Sequence, residues 1–263
     1  MTMQNKWARE DWLINYPDGI IKYNDMFRHT LLGYDEIVDI LNFELKSYNV
    51  KSILDLGCGT GTFLEKLYNK EKYSCVGVDR NVETIEFAQE KAKNRNLPIR
   101  FILGDALDFS LDEKFDAVIE MFVPFSKKSQ IKMLQNAYRF LKPNGVLLFM
   151  ICESIEGTKE IDSKIIMTFS ENEVTKCARI EPWEKEGNFL QWNPLLLIEE
   201  GGQFKQFTDH DEIQLYNKDE VRTYISDVEA MGYELQNWYR LPVRDSSPPW
   251  ATETIIVMKK IGE

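Results

Sequence analysis

Residues Ile53-Leu54-Asp55-Leu56-Gly57-Cys58-Gly59-Thr60-Gly61 decide how this chain is read. An apolar strand runs into glycines at alternate positions, and a helix-period segment follows over 60–69. Glycine lets the backbone turn sharply and come close to a ligand. The helix N-terminus beyond offers N–H groups without helical partners. The spacing is GxGxG. A dinucleotide loop wants GxGxxG, and Thr62 stands where its last glycine belongs, which argues against a nicotinamide or flavin oxidoreductase.

Outward from that turn the chain alternates. Strands are expected over 51–56, 73–79, 99–103, 115–121 and 146–151. Helices are expected over 81–94, with Asn81 as cap, and over 126–141, ended by Lys142-Pro143-Asn144-Gly145. An amphipathic helix over 24–47 precedes them. Repeated strand–helix–strand spacing predicts an α/β fold, a mostly parallel sheet with helices on both faces. Asp79 ends the second strand and Asp105 the third, so with Asp55 three acids line the strand ends where open α/β sheets bind ligands. An acid about 20 residues past the glycines is placed to accept both hydroxyls of a ribose.

After residue 152 the texture changes. Strands are expected over 165–169, 173–180, 189–198 and 203–215, forming an antiparallel sheet inserted into the α/β domain. A helix over 219–231, closed by Gly232, and strands over 233–241 and 252–259 follow, with a loop at 245–250. The last two strands predict an antiparallel edge. The organisation read is 1–49 as N-terminal lid and helix, 50–151 as ligand-binding core, 152–216 as inserted sheet over the substrate site, and 217–263 as the last helix and strands.

The 263 residues and 43% hydrophobic content describe an ordinary globular chain, and the net charge of −11 argues against a nucleic-acid partner. No leader and no membrane span are read, and Cys58, Cys75, Cys152 and Cys177 lack ligand spacing. The expectation is a cytoplasmic protein with reduced thiols and no metal site.

Asp55–Gly61, Val78-Asp79, Gly104-Asp105-Ala106, Phe115-Asp116-Ala117-Val118 and Leu141–Gly145, as an ordered set, resemble the class I S-adenosylmethionine-dependent methyltransferases. The resemblance implies a Rossmann-like sheet. It also implies a cofactor site in which Gly57, Cys58 and Gly59 contact the methionine part, Asp79 holds the ribose, and Asp105 with Ala106 meets the adenine. Asp55, Arg80, Glu120 and Met121 would border it, and Arg28 would face the cofactor carboxylate. S-adenosylhomocysteine would be the product. The N-terminal helix and strand-rich insert are similar to small-molecule N-methyltransferases of the aminosugar and peptide-antibiotic types. No histidine follows the fourth strand, in Met121–Ser126, where the aminosugar enzymes favour one.

The expected activity is methyl transfer by in-line displacement to an amine of a small molecule or peptide N-terminus. The alternatives are an O-methyltransferase and a cofactor-binding module without turnover. Catalytic candidates are Tyr16 and Tyr23 from the lid, Glu120 at a central strand end, and Glu153. Phe122 and Phe125 are candidate apolar walls. His29 and His210 are read as surface or structural. The region after the core is rich in acids, read as a solvated face; Glu153 or Asp162 would suit a cationic acceptor if it faces the pocket. Trp183, Phe189 and Trp192 would roof the site or cover the sheet.

Overall fold

The computed structural model describes residues 20–27, 33–122, 126–155, 163–243 and 248–262. Two helices, α1 (Ile21–Phe27) and α2 (Tyr34–Ser47), occupy the segment expected to be one helix. Gly33, at φ +58°, sits at the start of α2, and a left-handed residue there cannot continue a right-handed helix into it.

The core alternates as expected: β1 (Ser52–Leu56), α3 (Thr62–Glu71), β2 (Ser74–Asp79), α4 (Val82–Asn94), β3 (Arg100–Leu103), β4 (Phe115–Glu120) and α5 (Lys127–Phe140). Asn81 caps α4 by accepting the Thr84 N–H. β5 (Leu141–Ser154) is far longer than the expected strand. The Lys142–Gly145 stretch forms an irregularity inside β5 rather than a turn before it: the register against β4 shifts from Phe115↔Leu141 to Ala117↔Val146. The fixing contact is an ion pair of Lys142 with Asp116 at 2.7 Å, whose carboxylate also accepts the Ser52 N–H.

Among its described residues the insert has six strands, where four were expected: β6 (Ser163–Glu171), β7 (Thr175–Glu186), β8 (Phe189–Trp192), β9 (Leu195–Glu200), β10 (Gln203–Thr208) and β11 (Asp211–Tyr216). Asn193-Pro194 divides the strand expected over 189–198, because proline has no N–H for the ladder. Asp209-His210 divides the next one. Then α6 (Lys218–Glu229) opens on a capping box of Asn217 and Glu220, and β12 (Tyr233–Arg240) and β13 (Ala251–Lys260) close the chain.

The parallel order is β3-β2-β1-β4-β5. β13 pairs antiparallel with β5 and carries β12, which gives the expected antiparallel edge. The insert joins this sheet through a two-residue parallel ladder, Leu215↔Cys152 and Tyr216↔Glu153. One core cluster lies under α2, α3 and α4, with Ile37, Leu41, Leu64 and Ile119 fully enclosed. The other lies under α5 and α6, around Leu134, Phe149, Val221 and Val228.

β1 lies between β2 and β4, so the chain order reverses there, and the crevice outside the β1 and β4 C-termini is the place where such sheets hold ligands. Its floor is tightly packed. A methyl group on Gly77 would meet Cys58 Sγ at 2.7 Å and Phe101 Cδ1 at 2.9 Å. Gly77→Ala is therefore expected to destabilise the fold by about 1–3 kcal/mol, by overpacking beneath the glycine loop. Denaturant unfolding checks it, with a control at the exposed, ordinary position Ser74.

Candidate functional site

The glycine loop is shaped by its backbone. Gly57, Gly59 and Gly61 all have positive φ, at +79°, +53° and +75°. A side chain at Gly61 is doubly barred, since its Cβ would lie 2.3 Å from the Phe101 ring. Gly57 and Cys58 donate their N–H groups to the Val78 carbonyl, at 2.8 and 3.0 Å. This ties the loop to the end of β2.

Asp79 completes that tie. Its carboxylate accepts the Gly59 N–H at 2.9 Å through Oδ2 and the Asn81 N–H at 2.9 Å through Oδ1. The acid expected to meet a ribose therefore stands directly beside the glycine turn, half-buried. Asp105 accepts the Leu107 N–H at 2.9 Å and shapes the turn after β3. The buried Ala106 follows, its carbonyl accepting from Asn136 Nδ2 at 2.9 Å. Asp55 is buried in β1, Cys58 is buried in the loop, and Arg80 is half-buried just past Asp79. Met121 is buried at the end of β4.

Phe122 follows with φ +56°, a backbone conformation rare for an aromatic residue. Its ring lies 5.6 Å from Tyr34 and 6.0 Å from Phe63, and those two stack at 4.6 Å. The three rings make an apolar wall between α2, α3 and the end of β4. Local strain at a strand end beside a ligand crevice is the kind that ligand sites retain.

The catalytic candidates fall in different places. Glu120 is fully buried and accepts a bond from Gln130 Nε2 at 3.1 Å, while Tyr224 donates to Gln130 Oε1 at 2.9 Å. Its carboxylate thus engages α5, on the α5/α6 face of the sheet. Glu153 is fully buried and held by Arg240, whose Nε donates at 2.7 Å, and by Thr254 at 3.0 Å. That setting is an ion pair tying β5 to β12 and β13. Tyr23 lies on α1, buried, and donates to Glu200 at 2.8 Å. Tyr16, Arg28, His29, Phe125 and Asp162 lie outside the described residues. Among the described residues no group of three His, Cys, Asp or Glu side chains is placed to hold a metal ion, and no helix is long and apolar enough to cross a membrane.

The insert brings together a cluster whose arrangement the sequence alone does not give. Trp183, Trp192 and Asp211 are direct cross-strand partners on β7, β8 and β11, so they share one face. Glu181 and Arg179 lie at alternate positions on β7, on that same face. Trp192 Nε1 donates to Glu181 at 2.8 Å, and Arg179 pairs with Glu181 at 3.1 Å. The Arg179 guanidinium stands 4.8 Å from the Trp192 ring and 5.8 Å from Phe27 of α1. Trp183 and Trp192 lie 5.8 Å apart, and Phe189 is partly exposed on β8.

Burial pushes Glu181 above the usual carboxylate range, against the pull of Arg179 and Trp192. Burial pushes Asp211 up to about 8, with the Glu212 N–H bond pulling the other way. The signal in the sequence was an aspartate opening an apolar strand beside a second one, Asp209, which burial also pushes up.

Residues 53–145 match the model of a methyltransferase domain. The putative methyltransferase YqeM of Bacillus subtilis strain 168 is 34% identical over 109 residues, 40% of this chain and 43% of that protein. A carboxy-S-adenosyl-L-methionine synthase of Nautilia profundicola is 28% identical over 166 residues, 59% of this chain and 71% of that protein. The chain thus spans less than half of the first relative's length and about seven tenths of the second's. The sugar N-methyltransferase KedS8 of Streptoalloteichus sp ATCC 53650 has the same fold, with a TM-score of 0.72 and 19% identity, across 100% of this chain and 99% of that one.

The fold is the Rossmann-like one of methyltransferases, and the match to the methyltransferase domain model falls on its parallel core. An amino pentose methyltransferase from Micromonospora echinaspora, with the same fold at a TM-score of 0.67 and 17% identity, binds S-adenosylmethionine. The residues present fit that group: a glycine turn closed to side chains, and an acid held at its lip.

The buried Asp211 has a consequence for stability. Its folded pKa lies above its unfolded value of about 4. The native state therefore keeps a proton that the unfolded chain releases, and stability falls as pH rises from about 4 to about 8. Asp211→Asn removes that loss. Its advantage over the parent is expected to be larger at pH 8 than at pH 5 by more than about 1 kcal/mol, measured by denaturant unfolding at both pH values.

Proposed function

We propose that this protein transfers a methyl group from S-adenosylmethionine to an amine nitrogen of a small molecule bound between the cofactor loop and the inserted sheet. The observation that carries the reading is the row Trp183, Trp192 and Asp211, with Glu181 beside it, on the face of the insert that also seats α1. Two acids beside two indole faces suit a cation: each attracts it once ionised, and aromatic faces attract it further when water is excluded. The shared fold of the sugar N-methyltransferase KedS8, insert included, supports the same reading.

When bound, S-adenosylmethionine supplies an activated methyl group together with its own leaving group. The protein's part is then positioning and proton control. Asp79 and the glycine loop hold the cofactor side, with Asp105 and Ala106 at the neighbouring strand end. Phe122, Phe63 and Tyr34 wall the crevice and exclude water. An amine attacks only when neutral, so an ammonium must first lose its proton. A carboxylate with a pKa near the working pH is the efficient acceptor for it. Asp211 has that character, and it is the candidate base.

Of the four catalytic candidates from the sequence, Glu120 is retained as an electrostatic neighbour at the β4 end. Tyr23 is assigned to seating α1, and Glu153 to holding β5 against the edge strands. Tyr16 keeps its proposed place in the lid.

The test is methyl transfer from isotope-labelled S-adenosylmethionine to a pooled panel of small amines, nucleotide-linked aminosugars, peptides with free N-termini and phenols. Mass spectrometry locates the label. Label is expected on an amine nitrogen, with Asp211→Asn slowing turnover at least about ten-fold at neutral pH. Label on oxygen alone overturns the amine assignment. Cofactor binding with no label on any member overturns the transferase reading in favour of a binding module.

A further inference from the structure

The short helix α1 is gripped from two sides. On one side Asp25, buried on α1, accepts from Thr60 Oγ1 at 2.5 Å, from Thr62 Oγ1 at 3.3 Å and from Lys91 Nζ at 3.1 Å. Thr60 stands between Gly59 and Gly61, and both of its hydroxyl's neighbours along the loop lack side chains. It is fully buried. Thr60 is thus the handle by which that part of the loop can be held, and Asp25 holds it. Thr62 opens α3, and Lys91 reaches in from α4, where it also lies 3.8 Å from Glu65.

On the other side α1 rests on the insert. Glu200 of β9 accepts from Tyr23 at 2.8 Å, from Lys22 at 2.8 Å and from Lys205 at 3.2 Å. Those three donors, Lys22 foremost, hold the Glu200 carboxyl down to about 2. Ser170 of β6 donates to the Met26 carbonyl at 3.2 Å, and Phe27 packs beside Arg179. Ile20, Ile21, Tyr23 and Phe27 form one apolar cluster with Cys177, Leu196 and Ile198 of the insert.

We infer that Asp25 is a positioning residue for the cofactor loop, and that α1 couples occupancy of that loop to the seating of the inserted sheet. The inference rests on reading Gly57–Gly61 as the cofactor loop. The physical basis is that one seven-residue helix carries both sets of bonds. It cannot shift away from the loop without loosening Asp25, nor away from the sheet without loosening Glu200. A cofactor that fixes the loop therefore biases α1 toward its seated position, and the seated α1 stiffens the insert face that carries Arg179, Glu181 and the tryptophans. By linkage, disturbing the insert end must then weaken binding at the loop.

The experiment uses the full chain and S-adenosylhomocysteine, with affinity read by calorimetry and amide exchange by mass spectrometry. In the parent protein, S-adenosylhomocysteine is expected to slow exchange in 57–62, in 20–27 and in 195–200 together. Asp25→Asn, which keeps the size and loses the charge, is expected to weaken binding about ten-fold or more. It should also confine the protection to 57–62.

Glu200→Gln is expected to weaken binding at least about three-fold, although Glu200 lies on the insert. A residue that only stabilised the fold would lower the melting temperature without uncoupling the three segments. Protection confined to 57–62 in the parent overturns the coupling, and that measurement needs no variant. Parental affinity in Asp25→Asn overturns the positioning role. Absence of any binding by the parent removes the cofactor reading itself, which separates that failure from the failure of the coupling.

Discussion

The bond from the Gly59 N–H to the Asp79 carboxylate is the constraint on which the rest of the molecule hangs. It joins the turn after β1 to the end of β2, beside the β1–β4 boundary where strand order reverses. A sheet that reverses there opens a crevice between its halves, and the chain must cross the mouth of that crevice without filling it. Three positive-φ glycines achieve the crossing, and Asp79, with the Val78 carbonyl, fixes where they lie. The buried floor beneath, Gly77 against Cys58 and Phe101, leaves the loop no room to sink. A carboxylate that spends one oxygen on Gly59 and the other on Asn81 is oriented before any ligand arrives, so little ordering remains to be done on binding.

Much of this was legible because it is local. Glycine spacing, strand-ending acids and the Asn81 cap are short-range chemistry, and each carries its own signature. The parallel core and its antiparallel edge followed from the alternation of periods. The motif over Leu141–Gly145 was legible as a marker but not as a shape. It reads as a turn, yet β4 pairs on both sides of it, and Lys142 closes on Asp116 across the strands. Such a pairing is a tertiary fact, and local turn chemistry yields to it.

The insert was legible in kind and not in detail. Its strands alternate and its turns are polar, so an antiparallel sheet follows; Pro194 carries a local signal for one break, but the break at Asp209-His210 depends on register. The residues that give the insert its chemistry were harder still. Asp211 meets Trp192 only because β8 and β11 pair in one register, and a slip of one residue would turn it to the other face. Asp25 was hidden for a related reason. A polar residue on a short helix looks solvated until the helix is seen wedged between the loop and the sheet.

Charge distribution ties these parts together. A net charge of −11 would be unremarkable if every acid faced water. Here Asp25 is buried on α1, and Glu181 and Asp211 are buried on the insert. Each buried carboxylate costs desolvation that only a cation or good hydrogen bonds offset. Asp25 has Lys91 and two threonines, and Glu181 has Arg179 and Trp192. Asp211 has the Glu212 N–H, and its carboxyl stays high in pKa. Compensation is thus greatest for Asp25 beside the glycine loop and least for Asp211 in the insert, where burial raises the carboxyl furthest.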